Sequence, residues 1–276
     1  MGEKDITQKE LEAFNDVFAD VFNALLFKEN FIEPEKLKFG VTNAIVETQK
    51  KKKEKFRDVC KTYENMSLKI ASFGIENQSS IDDTMPLRLL GYDYGEYLSQ
   101  LKNRKGSEIF YLYPSITVVL NFSNKKWNAP KKLTDCMQID ERLKPFFNDY
   151  KIFVFDVCDL TDEELNRMNS DLRCVLTIIR DGSRNAIKPE KFKYKFTHTK
   201  HSLDVITAFF NDDSYERAYY DRLKETEVLT VCEAFETLRE QGRVEVIKDM
   251  LDNGKSVEEI MDFTGYSREI IEKAKE

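Results

Sequence analysis

Asp58 and Glu76 are two acids spaced so that a short hairpin would bring them together. Residues 57–63 and 67–77 have strand character, and Glu64-Asn65-Met66 between them includes an asparagine suited to a turn. If the stretches pair antiparallel around residues 65–67, opposed positions carry numbers that sum to about 132–134, so Asp58 faces Gly74 or Glu76. Directly opposed side chains share a face about 5 Å apart at Cβ, close enough for two carboxylates to hold one cation. Gln78 falls on that face too, because strand side chains alternate with period two. Gly74 would leave room there for a phosphate to approach the backbone, while Phe73 and Ile75 project from the other face toward a core. Like charges opposed across a hairpin destabilise it unless something compensates. The plainer alternative is therefore a surface pair of acids with Arg57 or Lys69 nearby.

Such a pair needs elements to hold it. Between residues 8 and 28, Leu11, Phe14, Phe18, Val21, Phe22 and Leu25 recur at helical spacing and predict a helix buried along one stripe, with Asp16, Asp20 and Asn23 grouped opposite. Phe31 to Lys55 reads as a loop ending in a lysine run. Asp82-Asp83-Thr84 before Met85-Pro86 is a helix start, predicting a second helix to about Lys102 with Leu87, Leu90, Tyr94, Tyr97 and Leu101 as its stripe. The segments 115–122 and 151–157 are rich enough in apolar and β-branched residues for buried strands. Helices and strands in this order imply an α/β layer architecture. From Thr161 the pattern is mostly helical, with capping boxes at Thr161 to Glu164 and Ser256 to Glu259.

The bulk numbers exclude several classes. A hydrophobic fraction of 41% with 20 Phe and 12 Tyr argues against general disorder despite 34% charged residues. No apolar run is long enough for a membrane span, and the start lacks a leader pattern, so a cytoplasmic protein without membrane contact is expected. Five cysteines without a C-x-x-C pair signal neither a disulfide framework nor zinc. A net charge of -7 argues against indiscriminate coating of nucleic acid, so any DNA contact must be local. Two basic stretches could supply it: Lys50 to Arg57, including Lys52 and Lys53, and Arg184 to His201. Solvated face is the ordinary reading of both. His198 and His201, the two histidines, suit phosphate contact or solvation better than zinc. No G-x-x-x-x-G-K-[ST] loop occurs to bind ATP.

The motifs Arg57-Asp58-Val59, Gly74-Ile75-Glu76-Asn77-Gln78, Met85-Pro86-Leu87-Arg88 and Gly91-Tyr92-Asp93-Tyr94, with Asn15 to Asp20 and Leu143 to Lys151, resemble the Rpn-type recombination-promoting nucleases of the PD-(D/E)XK transposase class. The resemblance runs from about residue 8 to 160. It implies a restriction-endonuclease-like core over residues 1–160, a mixed sheet flanked by helices; the helical pattern beyond it predicts an extension (161–241) packed on that core and a short C-terminal helical element (242–276). The resemblance further implies a Mg²⁺-dependent DNA endonuclease, with Mn²⁺ able to substitute, in which Asp58 and Glu76 are metal ligands and Gln78 completes the catalytic set. Asp16 or Asp20 is a candidate further ligand, and Arg57, Arg88, Lys52 and Lys53 are candidate phosphate contacts. The broader class more often has lysine where Gln78 stands; an amide brings no charge, so a weak or inactive DNA-binding module is the alternative. Ser256 to Ile271 resembles half of a helix-turn-helix, but the acids of its second helix suit packing or contact between copies better than a DNA groove.

Overall fold

A computed structural model describes residues 3–40, 43–48, 51–66, 68–102, 111–184, 196–211, 244, 247–248, 250–251, 255–264 and 266–274. The chain divides into two compact units, Met1–Ile187 with Thr197–Val205, and Lys188–Phe196 with Ile206–Glu276.

The first unit is built on a mixed five-stranded sheet ordered β1 (Leu37–Phe39), β4 (Val59–Asn65), β5 (Leu68–Gln78), β6 (Ser115–Asn121) and β7 (Phe153–Asp156). β1, β4 and β5 pair antiparallel, whereas β5, β6 and β7 run parallel. A parallel pair requires a crossover, and α3 (Met85–Lys102) lies within the one joining β5 to β6. The β4–β5 hairpin pairs Val59 with Ile75 and Cys60 with Gly74, and slips by one residue beyond Tyr63. Met66 turns it with φ 47°. The pairing ends at Val59 and Ile75, and Asp58, just before Val59, accepts from the Asn77 backbone N–H through its side chain.

The sheet is covered on both sides. Phe73 meets Phe22 at 4.8 Å between ring centroids, which seats α2 (Asn15–Asp20) and its π-helical continuation Val21–Phe27 on one face. On the other, Met85, Leu89 and Tyr92 of α3 pack with Val119, Trp127 and Ile152. The central strand β6 reads as an apolar run because most of both its faces is buried, whereas the edge strand β7 stays partly exposed.

Three sequence expectations change. The helix read over 8–28 is two: α1 (Glu3–Glu12) ends before Phe14, and α2 starts at Asn15. The loop read over 31–55 holds β1 together with a separate antiparallel ribbon, β2 (Asn43–Thr48) and β3 (Lys51–Phe56). Lysine is depleted in strands, so the run in β3 hid its pairing. Finally, α3 does not bury its apolar stripe. Leu87, Tyr94 and Leu101 are exposed, while Met85, Leu89, Tyr92, Asp93, Glu96 and Gln100 are buried. Its polar members are satisfied there: Gln100 exchanges bonds with the Tyr113 backbone, and Glu96 accepts from the Tyr113 hydroxyl at 3.0 Å.

α4 (Asp162–Asn166) opens on the Thr161 capping box, and α5 (Leu172–Ser183) follows. In the second unit, Ser256 and Glu259 close the other box reciprocally. Helices Val257–Thr264 and Arg268–Lys273 bury Ile260, Ile271 and Ala274 with Ile247 in a small core. No helix among the described residues is long and apolar enough to cross a membrane.

Candidate active site

Three acids from three elements gather where the hairpin strands end and begin. Asp58 directly precedes β4, Glu76 lies near the end of β5, and Glu12 is the last residue of α1. Asn77 joins two of them: its backbone N–H donates to Asp58 Oδ2 at 2.7 Å and its side-chain Nδ2 donates to Glu12 Oε2 at 2.7 Å. Because side chains alternate along β5, Asn77 reaches α1 while its neighbours Glu76 and Gln78 project toward α3.

Two cations hold these acids. Lys9 Nζ lies 2.9 Å from Asp58 Oδ1 and 3.0 Å from Asp5 Oδ1. Arg88, in the first turn of α3, donates to Glu76 Oε1 at 2.5 Å, to Asp82 Oδ2 at 2.7 Å and to the Tyr92 hydroxyl at 3.2 Å. Gln78 Nε2 adds a bond to Glu76 Oε1 at 3.1 Å. Glu76 Oε2 is buried with no partner.

Burial sets the charge state. It pushes Glu12 up to about 8, opposed by the Asn77 hydrogen bond and reinforced by the charge of Asp58. Burial and the neighbouring Asp58 likewise raise Glu76 against the pull of Arg88, and burial raises Asp58 against its bonds from Asn77 and Lys9. Removing acids from water and crowding them together both disfavour the anions. The group binds a proton or a cation more readily than three separate carboxylates would.

Among the described residues no three His, Cys, Asp or Glu side chains converge as metal ligands in the arrangement seen. Each acid is instead turned toward a donor of the protein. A magnesium ion nonetheless requires only one or two carboxylates, with waters and a phosphate filling its remaining positions. The orphaned Glu76 Oε2 beside Asp58 fits that modest demand.

The other sequence candidates go elsewhere. Arg57 is buried and bound to Asp93 Oδ1 at 2.5 Å and Ser115 Oγ at 2.8 Å, so it is not free to contact DNA. Its side chain also fills the space beside Gly74, where a Cβ would stand 2.7 Å from Arg57 Cδ. The glycine thus makes room for an arginine and not for a phosphate. Arg88 is committed to Glu76 and Asp82, a pairing of the site itself. The Asp20 carboxylate accepts from the backbone N–H groups of Asn169 and Ser170. Asp16 pairs with His198 Nε2 at 3.0 Å, and the His198 ring stacks on Phe14. Neither Asp16 nor Asp20 bonds to Asp58, Glu76 or their partners. His198 is accordingly a packed, acid-paired residue and not a surface phosphate contact. The side chains of Lys52 and Lys53 lie outside the described residues.

Glu12 and Lys9 join the site although no motif in the sequence marks them. Asp5, Lys9 and Glu12 stand at i, i+4 and i+7 on α1, a polar stripe that looks like a solvated helix face. Its one signal is the Glu76-Asn77-Gln78 run, whose central amide needs a partner across the sheet.

Residues 71–200 match the family model described as "Putative transposase, YhgA-like". The match takes in Glu76, Gln78, Arg88 and Asp93 and stops short of Lys9, Glu12 and Asp58. No curated protein and no solved structure matches the chain. Over that span, which carries Glu76 and strands β6 and β7 of the α/β sheet, the chain is similar to the putative transposases of the YhgA-like type.

Proposed function

We propose that this protein is a Mg²⁺-dependent DNA endonuclease with a PD-(D/E)XK-type core, in which Asp58 and Glu76 hold the ion, Mn²⁺ can replace it, and Glu12 is a third acid at its edge. The observation that carries the reading is the buried, unpartnered Glu76 Oε2 beside Asp58. A bound divalent ion would supply an acidified, oriented water and a counter-charge for the phosphate. Of the chain's own groups, Gln78 Nε2 and Arg88 both donate to Glu76 Oε1 and so fix that carboxylate, leaving its Oε2 to face an ion or water. Asn77 fixes Asp58 and Glu12 together. The similarity to a putative transposase family would suit a role in recombination or mobile elements.

A second reading has its own support. Gln78 brings no charge, and Lys9 and Arg88 already neutralise the acids, as suits a DNA-binding module without turnover. Supercoiled plasmid incubated with Mg²⁺ or Mn²⁺ separates the two. Nicking or linearisation by the parent and its loss in Asp58→Ala and Glu76→Ala is the expected result. Cleavage that survives both substitutions refutes this site, and retarded but intact plasmid favours the module.

A further inference from the structure

The site contains two cations, and they are held differently. Arg88 is fixed by Glu76, Asp82 and Tyr92 at once. Lys9 is held by two carboxylates alone, at the end of a flexible four-carbon stem that is one-fifth exposed. Of the Asp58 oxygens, Oδ2 is taken by the Asn77 N–H, so Oδ1 is the one left to face a cation. Lys9 is on it.

We infer that Lys9 is a tethered rival of the divalent ion: it occupies Asp58 Oδ1 in the resting protein, gives way when the ion enters, and then turns its ammonium to the substrate phosphate while keeping Asp5. The inference rests on the nuclease reading and adds a catalytic residue to it. Three points support the exchange. An ammonium and a metal ion cannot share one carboxylate oxygen at contact distance without strong repulsion. Asp5, 3.0 Å from the same ammonium, gives it a second seat, so displacement does not strand a charge. A mobile point charge is what lysine offers a phosphate, where arginine would be held by its planar fork. The lysine absent from position 78 is thus supplied from α1.

The test uses the full chain with Mn²⁺ as the probe, comparing the parent with Lys9→Met and Lys9→Arg. Methionine keeps the stem and the helix propensity, and thermal melts confirm that each variant folds. Calorimetric titration should show Lys9→Met binding Mn²⁺ roughly tenfold more tightly, the loss of about 1.4 kcal/mol of competition. At saturating Mn²⁺ its plasmid cleavage should fall at least about 100-fold, the scale of one lost electrostatic contact to the transition state, and Lys9→Arg should restore part of it. Unchanged or weaker Mn²⁺ binding by Lys9→Met overturns the inference, since a merely structural ion pair predicts that. Cleavage at the parental rate overturns it as well. A parent that binds Mn²⁺ but leaves plasmid intact refutes the nuclease reading itself and, with it, the turn of Lys9 to substrate; the Mn²⁺ affinities still decide the competition separately.

Discussion

At Glu12 burial and hydrogen bonding oppose each other, and burial wins, lifting its pKa from 4.5 to about 8. A carboxyl raised in the folded state adds stability that is complete below the unfolded value and is lost as pH rises through the folded one. The metal-free protein should therefore lose a few kcal/mol of stability between about pH 5 and 8. Melting temperatures across that range should fall less steeply in Glu12→Gln than in the parent; identical slopes would show that Glu12 is charged throughout. Arg57 makes a different prediction. Its guanidinium is buried against Asp93, which also accepts from the Tyr150 hydroxyl at 2.5 Å. Arg57→Met leaves Asp93 buried without its counter-charge and should cost about 3–5 kcal/mol. Tyr150→Phe removes one neutral donor and should cost about 1–2 kcal/mol. Urea denaturation that reverses this order would mean that Tyr150, and not Arg57, keeps Asp93 in place.

Elements differed in how openly the sequence announced them. The β4–β5 hairpin is legible because alternation and turn chemistry agree there, and it ends with Asp58 bound to the Asn77 backbone beside Glu76. α3 was legible as a helix but not in its orientation. An amphipathic rule assumes that the apolar stripe is buried, yet α3 packs through a face where Asp93, Glu96 and Gln100 are each satisfied by partners far along the chain. A single sequence gives no sign of such pairing. The inverted face is testable by substitution. Leu89→Ala should cost about 2–5 kcal/mol, as for a buried leucine that leaves a cavity, whereas Leu87→Lys should stay within about 0.5 kcal/mol. If chemical denaturation gives the reverse, the stripe read from the sequence is the packed one.

Across the molecule, the acids depend on a junction that no local pattern reveals. The chain breaks between α1 and α2 at Ala13 and Phe14, and distant residues secure the break. Lys61 of β4 donates to the Ala13 carbonyl and to Asn15 Oδ1. His198 covers Phe14 with its ring at 3.7 Å and bonds Asp16. His198 is itself held by buried Asp171, whose carboxylate accepts from the Thr197 and His198 backbone N–H groups at 2.9 and 2.5 Å and from Ser202 Oγ at 3.2 Å. Nothing local marks His198 as packed, because Phe14 and Asp16, the partners of its ring, lie more than 150 positions away. Since α1 carries Lys9 and Glu12 into the site, loosening this junction should disturb the acids without touching them. His198→Ala should lower the melting temperature by a few degrees, as expected for about 1 kcal/mol lost from a packed aromatic and its hydrogen bond, and should also weaken Mn²⁺ binding. His198→Phe keeps the stack on Phe14 while giving up Asp16, so it should recover most of the stability and most of the affinity if packing sets the position of α1. Recovery of stability without affinity would instead assign that role to the Asp16 bond. Mn²⁺ binding by His198→Ala at parental strength, despite a lowered melting temperature, would show that the position of α1 does not depend on His198.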